Sequence, residues 1–140
     1  MASTNSRTGP EFSPSGHGHI VTIIKTEGDT HYLAGSRCGA CGQIFVGERE
    51  VCAKCTARGQ MASVRLAETG SLYAYTVVER SFPGVATPFI DAVVDLDDGS
   101  HLKGTLMGID PDPATIPFGL KVKIAWREAV PVGADKPYLT

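Results

Sequence analysis

The sequence of 140 residues lacks long apolar runs and an excess of positive charge. No stretch approaches the roughly 20 apolar residues that span a bilayer, and residues 1–16 lack the apolar segment of a secretory signal. We therefore expect a cytoplasmic protein with no membrane segment. The net charge is −2, whereas nucleic-acid-binding domains usually carry a basic surplus that neutralises phosphates, so nucleic acid is a disfavoured partner.

Serine, threonine, glycine and proline dominate residues 1–18, which contain almost no large apolar side chain. Burial cannot offset the entropy lost on ordering such a segment, so we expect a disordered tail. β-Branched residues then fill positions 20–25, and a turn at residues 27–29 leads to residues 31–34, which predicts a hairpin. We assign residues 19–60 to a first lobe that begins with this hairpin and contains all the cysteines.

From residue 61 onward, apolar and polar side chains alternate as they do in strands. The clearest case is residues 89–96, where Ile90, Ala92, Val94 and Leu96 would face one way. Residues 97–100 have the composition of a tight hairpin turn. Further strands are predicted at residues 64–66, 72–78, 101–109 and 120–126.

About five half-buried strands without an amphipathic helix predict an all-β fold. A five-stranded OB-type barrel over residues 61–128 is the most economical arrangement, because one apolar face per strand requires the sheet to close. An SH3-like barrel or a small sandwich fits the pattern almost as well.

Four cysteines form two Cys-x-x-Cys pairs, Cys38 with Cys41 and Cys52 with Cys55, separated by ten residues. Each pair lets two thiolates converge on one ion, and two pairs supply the tetrahedral ligand set that zinc accepts. The pattern predicts a rubredoxin-like zinc ribbon whose Zn²⁺ is structural, because four thiolates leave no open position for catalysis. Two disulfides are a weaker alternative in a cytoplasmic chain, and iron in an electron-transfer protein would use the same ligands.

This ligand assignment leaves no candidate catalytic residue. A nucleophilic cysteine needs a free thiol beside an activating histidine, and all four cysteines are assigned to the metal. The sequence has neither a Gly-x-Ser-x-Gly elbow nor a glycine-rich phosphate loop. Asp95, Asp97 and Asp98 could form an acid/base cluster, but aspartates at the end of a strand are typical of a solvated turn.

Several residues are candidates for contacts with a partner or a ligand. Phe82 is followed directly by Pro83 and Gly84 in a loop, where it either meets another molecule or caps the barrel. Residues 129–140 contain two prolines, which predicts an extended tail laid along another protein's groove, or a frayed terminus. Arg37, beside the ribbon, could meet phosphate groups. The complete set of contact candidates is Arg37, Phe82, Pro83, Pro88, Phe89, Pro137 and Tyr138.

The order of these motifs resembles a family of zinc-ribbon OB-fold proteins, catalogued as a domain of unknown function, that is associated with acyl-CoA enzymes. The matching residues lie between positions 33 and 128: residues 36–42 with Phe45, the second cysteine pair, residues 70–78, residues 87–89 and residues 93–99. The sequence departs from the family where a hairpin, rather than a short helix, leads into the ribbon. A proline usual near the second cysteine pair is also missing.

The resemblance implies a non-catalytic accessory subunit in a hetero-oligomer with a thiolase-like catalytic subunit, with a CoA thioester bound by or with that partner. Members of the family pair with lipid-transfer-protein-like thiolases, with archaeal hydroxymethylglutaryl-CoA synthase, and with the thiolase that cleaves benzoylsuccinyl-CoA in anaerobic toluene degradation. The length is most similar to the small subunit of the last type. The alternative is a single-stranded nucleic-acid-binding module, in which Tyr73 and Tyr75 on one strand face would stack on bases.

Overall fold

Short β-branched runs separated by turns form the strands of the computed structural model, which describes residues 23–129 and 138–139. The predicted tail at residues 1–18 and Pro137 lie outside the described residues. The strands are β1 (Ile24–Glu27), β2 (Thr30–Cys38), β3 (Ile44–Val46), β4 (Met61–Arg65), β5 (Thr69–Val78), β6 (Phe89–Leu96), β7 (His101–Leu106), β8 (Lys121–Lys123), β9 (Glu128–Ala129) and β10 (Tyr138–Leu139). A 3₁₀ turn at Pro113–Thr115 follows β7. The all-β class is confirmed.

The first sheet is built around β2, which pairs antiparallel with β1, β3 and β4. The β1–β2 hairpin confirms the predicted strand–turn–strand over the described residues, and Gly28 takes a positive φ of 61° in its turn. β4, where we expected the barrel to begin, forms its hydrogen bonds with β2. The boundary predicted between residues 60 and 61 therefore falls just before a strand that lies in the ribbon's sheet.

The second sheet has the order β7-β6-β5-β8, with all its pairs antiparallel. The predicted alternation in β6 is confirmed, because Ile90, Ala92 and Leu96 are buried. The predicted turn between β6 and β7 is confirmed too, with Gly99 at a φ of 86°.

A β-bulge interrupts the register of β5 between Leu72 and Ala74. One extra residue at a bulge moves the following side chains to the opposite faces of the strand. Tyr73 is consequently 67% exposed, whereas Tyr75 packs against the buried cluster of the barrel. The expectation that Tyr73 and Tyr75 share one face is wrong, since an uninterrupted period of two does not hold across the bulge.

Two apolar clusters stabilise the described residues. One lies inside the second sheet and contains Leu72, Ile90, Ala92 and Ile116. The other contains Leu33 of β2, Leu66 after β4 and Leu96 at the end of β6. Because its members come from both sheets, the second cluster makes the ribbon and the barrel share part of their core.

The turn between β6 and β7 joins the barrel to the ribbon side of the molecule. The Asp98 carboxylate accepts hydrogen bonds from the Ala67 N–H at 2.7 Å and from the Ser100 hydroxyl at 2.5 Å. The Gln43 side-chain amide donates to the Gly99 carbonyl oxygen at 3.2 Å. The predicted aspartate turn is thus a structural junction, with Asp98 holding the segment between β4 and β5.

Near the C-terminus, Tyr138 pairs with Ala129 and Leu139 with Glu128 in an antiparallel register. β9 and β10 thus form a two-stranded sheet, and the extended tail over residues 129–140 stays a prediction. Among the described residues, no helix has the length and apolar character needed to cross a membrane.

Candidate metal centre

The first Cys-x-x-Cys turn follows directly from the end of β2. Cys38 is the last residue of the strand, and its N–H donates to the Gln43 carbonyl oxygen at 2.9 Å. The Gly42 N–H donates back to the Cys38 carbonyl oxygen at 2.8 Å. Gly42 takes a positive φ of 77°, which glycine adopts without steric cost. The turn folds Cys41 back toward Cys38.

The second turn repeats this geometry around Cys52 and Cys55. The Cys52 N–H donates to the Ala57 carbonyl oxygen at 3.0 Å, and the Thr56 N–H donates to the Cys52 carbonyl oxygen at 2.9 Å. Thr56 occupies the position equivalent to Gly42 and has a φ of 64°, a conformation that strains a β-branched residue. The two turns are therefore near copies that present two sulfurs each to one point.

The four sulfurs fit a tetrahedral metal ion. Their Sγ atoms all lie within 4.8 Å of one another. Cys38 and Cys55 are 3.7 Å apart, and Cys41 and Cys52 are 3.6 Å apart. A tetrahedron with metal–sulfur bonds of about 2.3 Å has sulfur–sulfur edges of about 3.8 Å, whereas a disulfide bond is about 2.0 Å. The cysteines are free thiols, and their spacing fits a zinc ribbon.

Hydrogen bonds from backbone N–H groups lower the pKa of two of the four thiols, Cys38 and Cys52. The Cys55 N–H, followed by the Lys54 N–H, lowers the pKa of Cys52 to about 6 and outweighs the effect of burial. The Cys41 N–H likewise lowers the pKa of Cys38. For Cys55 the Ala57 N–H lowers the pKa, but burial and the neighbouring sulfurs together raise it to about 12. Four thiolates this close repel one another, so a bound cation removes the energetic cost of ionising all of them.

The predicted contact residues do not form one site. Phe82, Pro83 and Pro88 are exposed in the loop between β5 and β6, and Phe89 begins β6 half-buried. Arg37 is exposed on β2, beside the first cysteine pair. The ribbon lies at the Thr69 end of β5, whereas Phe82 follows its Val78 end, and ten strand residues span roughly 30 Å. Tyr138 lies in β10, paired with Ala129. Their role as contacts stays a prediction.

Phe118 and Met107, two exposed apolar residues near the loop between β5 and β6, were not among the contact candidates predicted from the sequence. Phe118 is 72% exposed and Met107 is 56% exposed, compared with 82% for Phe82. The Phe118 ring packs 5.5 Å from the Tyr75 ring, in the half of β5 that leads to the loop. Phe118 stands between Pro117 and Gly119, so the nearby proline and glycine that singled out Phe82 are also the signal for Phe118.

Comparisons with known proteins agree with this architecture. A family model described as the C-terminal OB-fold domain of ChsH2 matches residues 63–127. A solved structure titled "Ltp2-ChsH2(DUF35) aldolase" contains a chain that is 32% identical to this one. The similarity covers 71% of this chain and 77% of that chain, with a TM-score of 0.59.

Two curated proteins extend the comparison. A DUF35 domain-containing scaffold protein of Methanothermobacter thermautotrophicus is 28% identical over 106 residues, which are 74% of this chain and 77% of that protein. The benzoylsuccinyl-CoA thiolase subunit BbsA of Geobacter metallireducens is 33% identical over 92 residues, or 66% of this chain and 61% of that protein. The resemblance inferred from the sequence is confirmed. Because the identity of 32% extends over 77% of the matched chain of that aldolase structure, this chain belongs to the ChsH2/DUF35 family of OB-fold proteins.

Proposed function

We propose that this chain is a non-catalytic accessory subunit of a thiolase-type acyl-CoA enzyme and that it shapes or completes the acyl-CoA site of its catalytic partner. The observation that carries the proposal is the similarity to the DUF35 chain of a two-component aldolase. The similarity to a thiolase subunit supports the same assignment. Benzoylsuccinyl-CoA thiolase is the specific enzyme type that we infer, with a CoA thioester at or near the subunit interface.

The cysteine cluster supports a non-catalytic role. The sequence has four cysteines, and all four lie in the one cluster. A thiolase-type reaction uses a cysteine nucleophile activated by a nearby base, so that cysteine would belong to the partner. The reducing cytoplasm, where we place the complex, keeps metal-binding thiols reduced.

We infer that the metal is zinc and that its role is structural. Zn²⁺ would be held by Cys38, Cys41, Cys52 and Cys55, and it would fix the two turns without offering an open coordination position. Elemental analysis of the purified protein is expected to find one zinc per chain. A red preparation with rubredoxin-type absorbance would instead support iron and an electron-transfer role.

The exposed aromatic residues support a docking surface for the catalytic subunit. Phe82 is 82% exposed and Phe118 is 72% exposed, and burying such side chains is a main source of interface energy. Arg37, Phe82, Pro83, Pro88, Phe89, Pro137 and Tyr138 stay our candidates for contacts with the partner or CoA.

The experiment is coexpression with a thiolase-like chain encoded in the same genome. We expect the two chains to copurify and the acyl-CoA cleavage activity of the larger chain to depend on this one. Phe82→Ser should weaken copurification, while Asp29→Asn, at an exposed position in the turn between β1 and β2 of the first sheet, serves as the matched control. A chain that neither binds such partners nor changes their activity contradicts the proposal.

The bulge in β5 weakens the nucleic-acid alternative, because the two tyrosines that it relied on face different sides. A gel shift with single-stranded DNA and RNA at two salt concentrations tests it directly. Salt-sensitive binding would restore this alternative, since phosphate contacts make affinity fall steeply with salt.

A further inference from the structure

A groove of about 330 Å³ opens between β7 and residues 122–127. The strand order β7-β6-β5-β8 places these two segments at opposite edges of the second sheet. The groove is therefore a gap between two sheet edges, which we call the seam. Its apolar lining includes Leu33, Val94, Leu96, Leu102, Ile124 and Trp126.

Backbone hydrogen-bonding groups face the seam from both sides. The Ser100 carbonyl oxygen accepts from the Leu96 N–H at 2.9 Å, and the β6–β7 register has no shift. Antiparallel alternation then directs the N–H groups of Lys103 and Thr105 away from β6 and into the seam. On the other side, the Ile124 N–H donates to the Glu68 carbonyl oxygen at 2.7 Å. The same alternation turns residues 123 and 125 toward the seam.

The solvent-facing side chains along both edges are mainly basic. Lys103 projects outward from β7, and Lys123 is exposed on the opposite edge. The Lys103 ammonium also lies 2.9 Å from the Asp91 carboxylate, and Glu68 is the carboxylate in the lining. Side chains on directly neighbouring strands interact in pairs, so acidic residues on an added strand would meet opposite charge on both sides.

We propose that the seam binds an extended segment of the catalytic partner as an added β-strand, with apolar residues facing the lining and acidic residues facing solvent. Peptide addition to a sheet edge obtains its affinity from backbone hydrogen bonds and its specificity from alternate side chains. The identity of the partner rests on the proposed function, whereas the chemistry of the segment rests on the seam alone.

Trp126 makes the seam directly observable, because it lines the groove and is the single tryptophan of the sequence. The probe is a synthetic peptide of seven residues, Glu-Val-Asp-Phe-Glu-Val-Asp, with blocked ends. Two controls are the same peptide with lysine at every acidic position and a scrambled peptide without alternation. We expect a saturable change in Trp126 fluorescence, with both controls binding at least about tenfold more weakly.

Two variants separate strand addition from unspecific binding. Thr105→Pro removes an N–H that faces the seam and leaves the hydrogen bonds to β6 intact, since proline is tolerated at such edge positions. It should weaken the acidic peptide about tenfold or more, whereas Thr105→Ala should not. Lys123→Glu should weaken the acidic peptide and strengthen the lysine peptide. Circular dichroism verifies that each variant is folded.

Four outcomes of the peptide and hydrogen-exchange measurements would overturn the proposal. The first two are an unchanged Trp126 fluorescence with the acidic peptide and peptide binding that Thr105→Pro does not affect. The third is slow hydrogen exchange of the Lys103 and Thr105 amides in the free chain at every protein concentration. The fourth is protection of these two amides that grows with protein concentration. The third would show that the chain fills its own seam, and the fourth that a second copy does. Peptide binding without copurification of a thiolase-like chain would keep the seam site and remove the accessory role. Copurification that survives both Thr105→Pro and Lys123→Glu would keep the role and overturn the seam as its contact.

Discussion

Between residues 38 and 60, the buried side chains are the metal-binding candidates Cys38 and Cys52, whereas the barrel buries Leu72, Ile90 and Ile116. The ribbon turns thus lack an apolar interior of their own, and the barrel has one. Segments this small fold only with a metal or another cross-link. The comparison teaches that one short chain uses two sources of stability, joined where Leu33 and Leu66 meet Leu96.

Metal removal is the perturbation with the largest expected effect, and we expect it to act on the ribbon alone. Structural zinc contributes on the order of 10 kcal/mol to the folding of small ribbon-like domains. Chelation should therefore release the amides of residues 38–60 to rapid hydrogen exchange, while the β5–β6 amides stay protected. Cys52→Ser should reproduce this pattern in the presence of zinc. Equal loss of protection in both regions would mean that the barrel has no stability of its own.

The metal site was predictable because its information is local. Two short cysteine pairs determine the turn and the ligand set without reference to the rest of the chain. The alternation in β6 and the turn with Gly99 were predictable for the same reason. The pairing of β4 with β2 was not, since the choice of a neighbouring strand depends on residues distant in sequence. The bulge at Tyr73 depends on how the sheet curves around its core, which no local pattern records.

Gly70→Ala tests the barrel in the way that chelation tests the ribbon. A Cβ at Gly70 would collide with the backbone carbonyl of Asp95 in the adjacent strand. Backbone cannot yield as a flexible side chain does, so we expect a loss of about 3 kcal/mol in the free energy of unfolding. Gly104→Ala is the matched control, because a Cβ there meets nothing within 4 Å. Denaturant unfolding of the zinc-loaded protein measures both, and equal stabilities would contradict the close approach.

Asp98→Asn tests the junction between the two regions. Partial burial raises the pKa of Asp98, but hydrogen bonds from Ser100 and from the Ala67 N–H outweigh it and hold the pKa below its ordinary value. The ionised carboxylate therefore stabilises the fold above the ordinary aspartate pKa of about 4, and this contribution disappears as the pH falls through the lower folded value. We expect Asn to cost about 1 kcal/mol at neutral pH, discounted for solvent exposure.

The pH dependence distinguishes this effect from a general loss of packing. The difference in stability between wild type and Asp98→Asn should shrink below about pH 4, as the wild-type carboxylate takes up its proton. Urea unfolding of both proteins from pH 3 to pH 7 measures it. A difference that stays constant over this range would contradict a role for the charge.

The smallest expected effects come from comparing the two ribbon turns at Thr56 and Gly42. These residues occupy equivalent positions, with φ values of 64° and 77°. A β-branched residue in this conformation is strained by about 1–2 kcal/mol, and glycine recovers that strain at some entropic cost in the unfolded chain. We expect Thr56→Gly to stabilise the zinc-loaded protein by about 0.5–1 kcal/mol. Gly42→Ala should destabilise it by about 1 kcal/mol through the positive φ alone, because a Cβ there would meet no atom closer than the Arg37 guanidinium at 4.0 Å. Thermal unfolding at fixed zinc concentration measures both changes, and shifts of the same sign would show that the two turns are not equivalent.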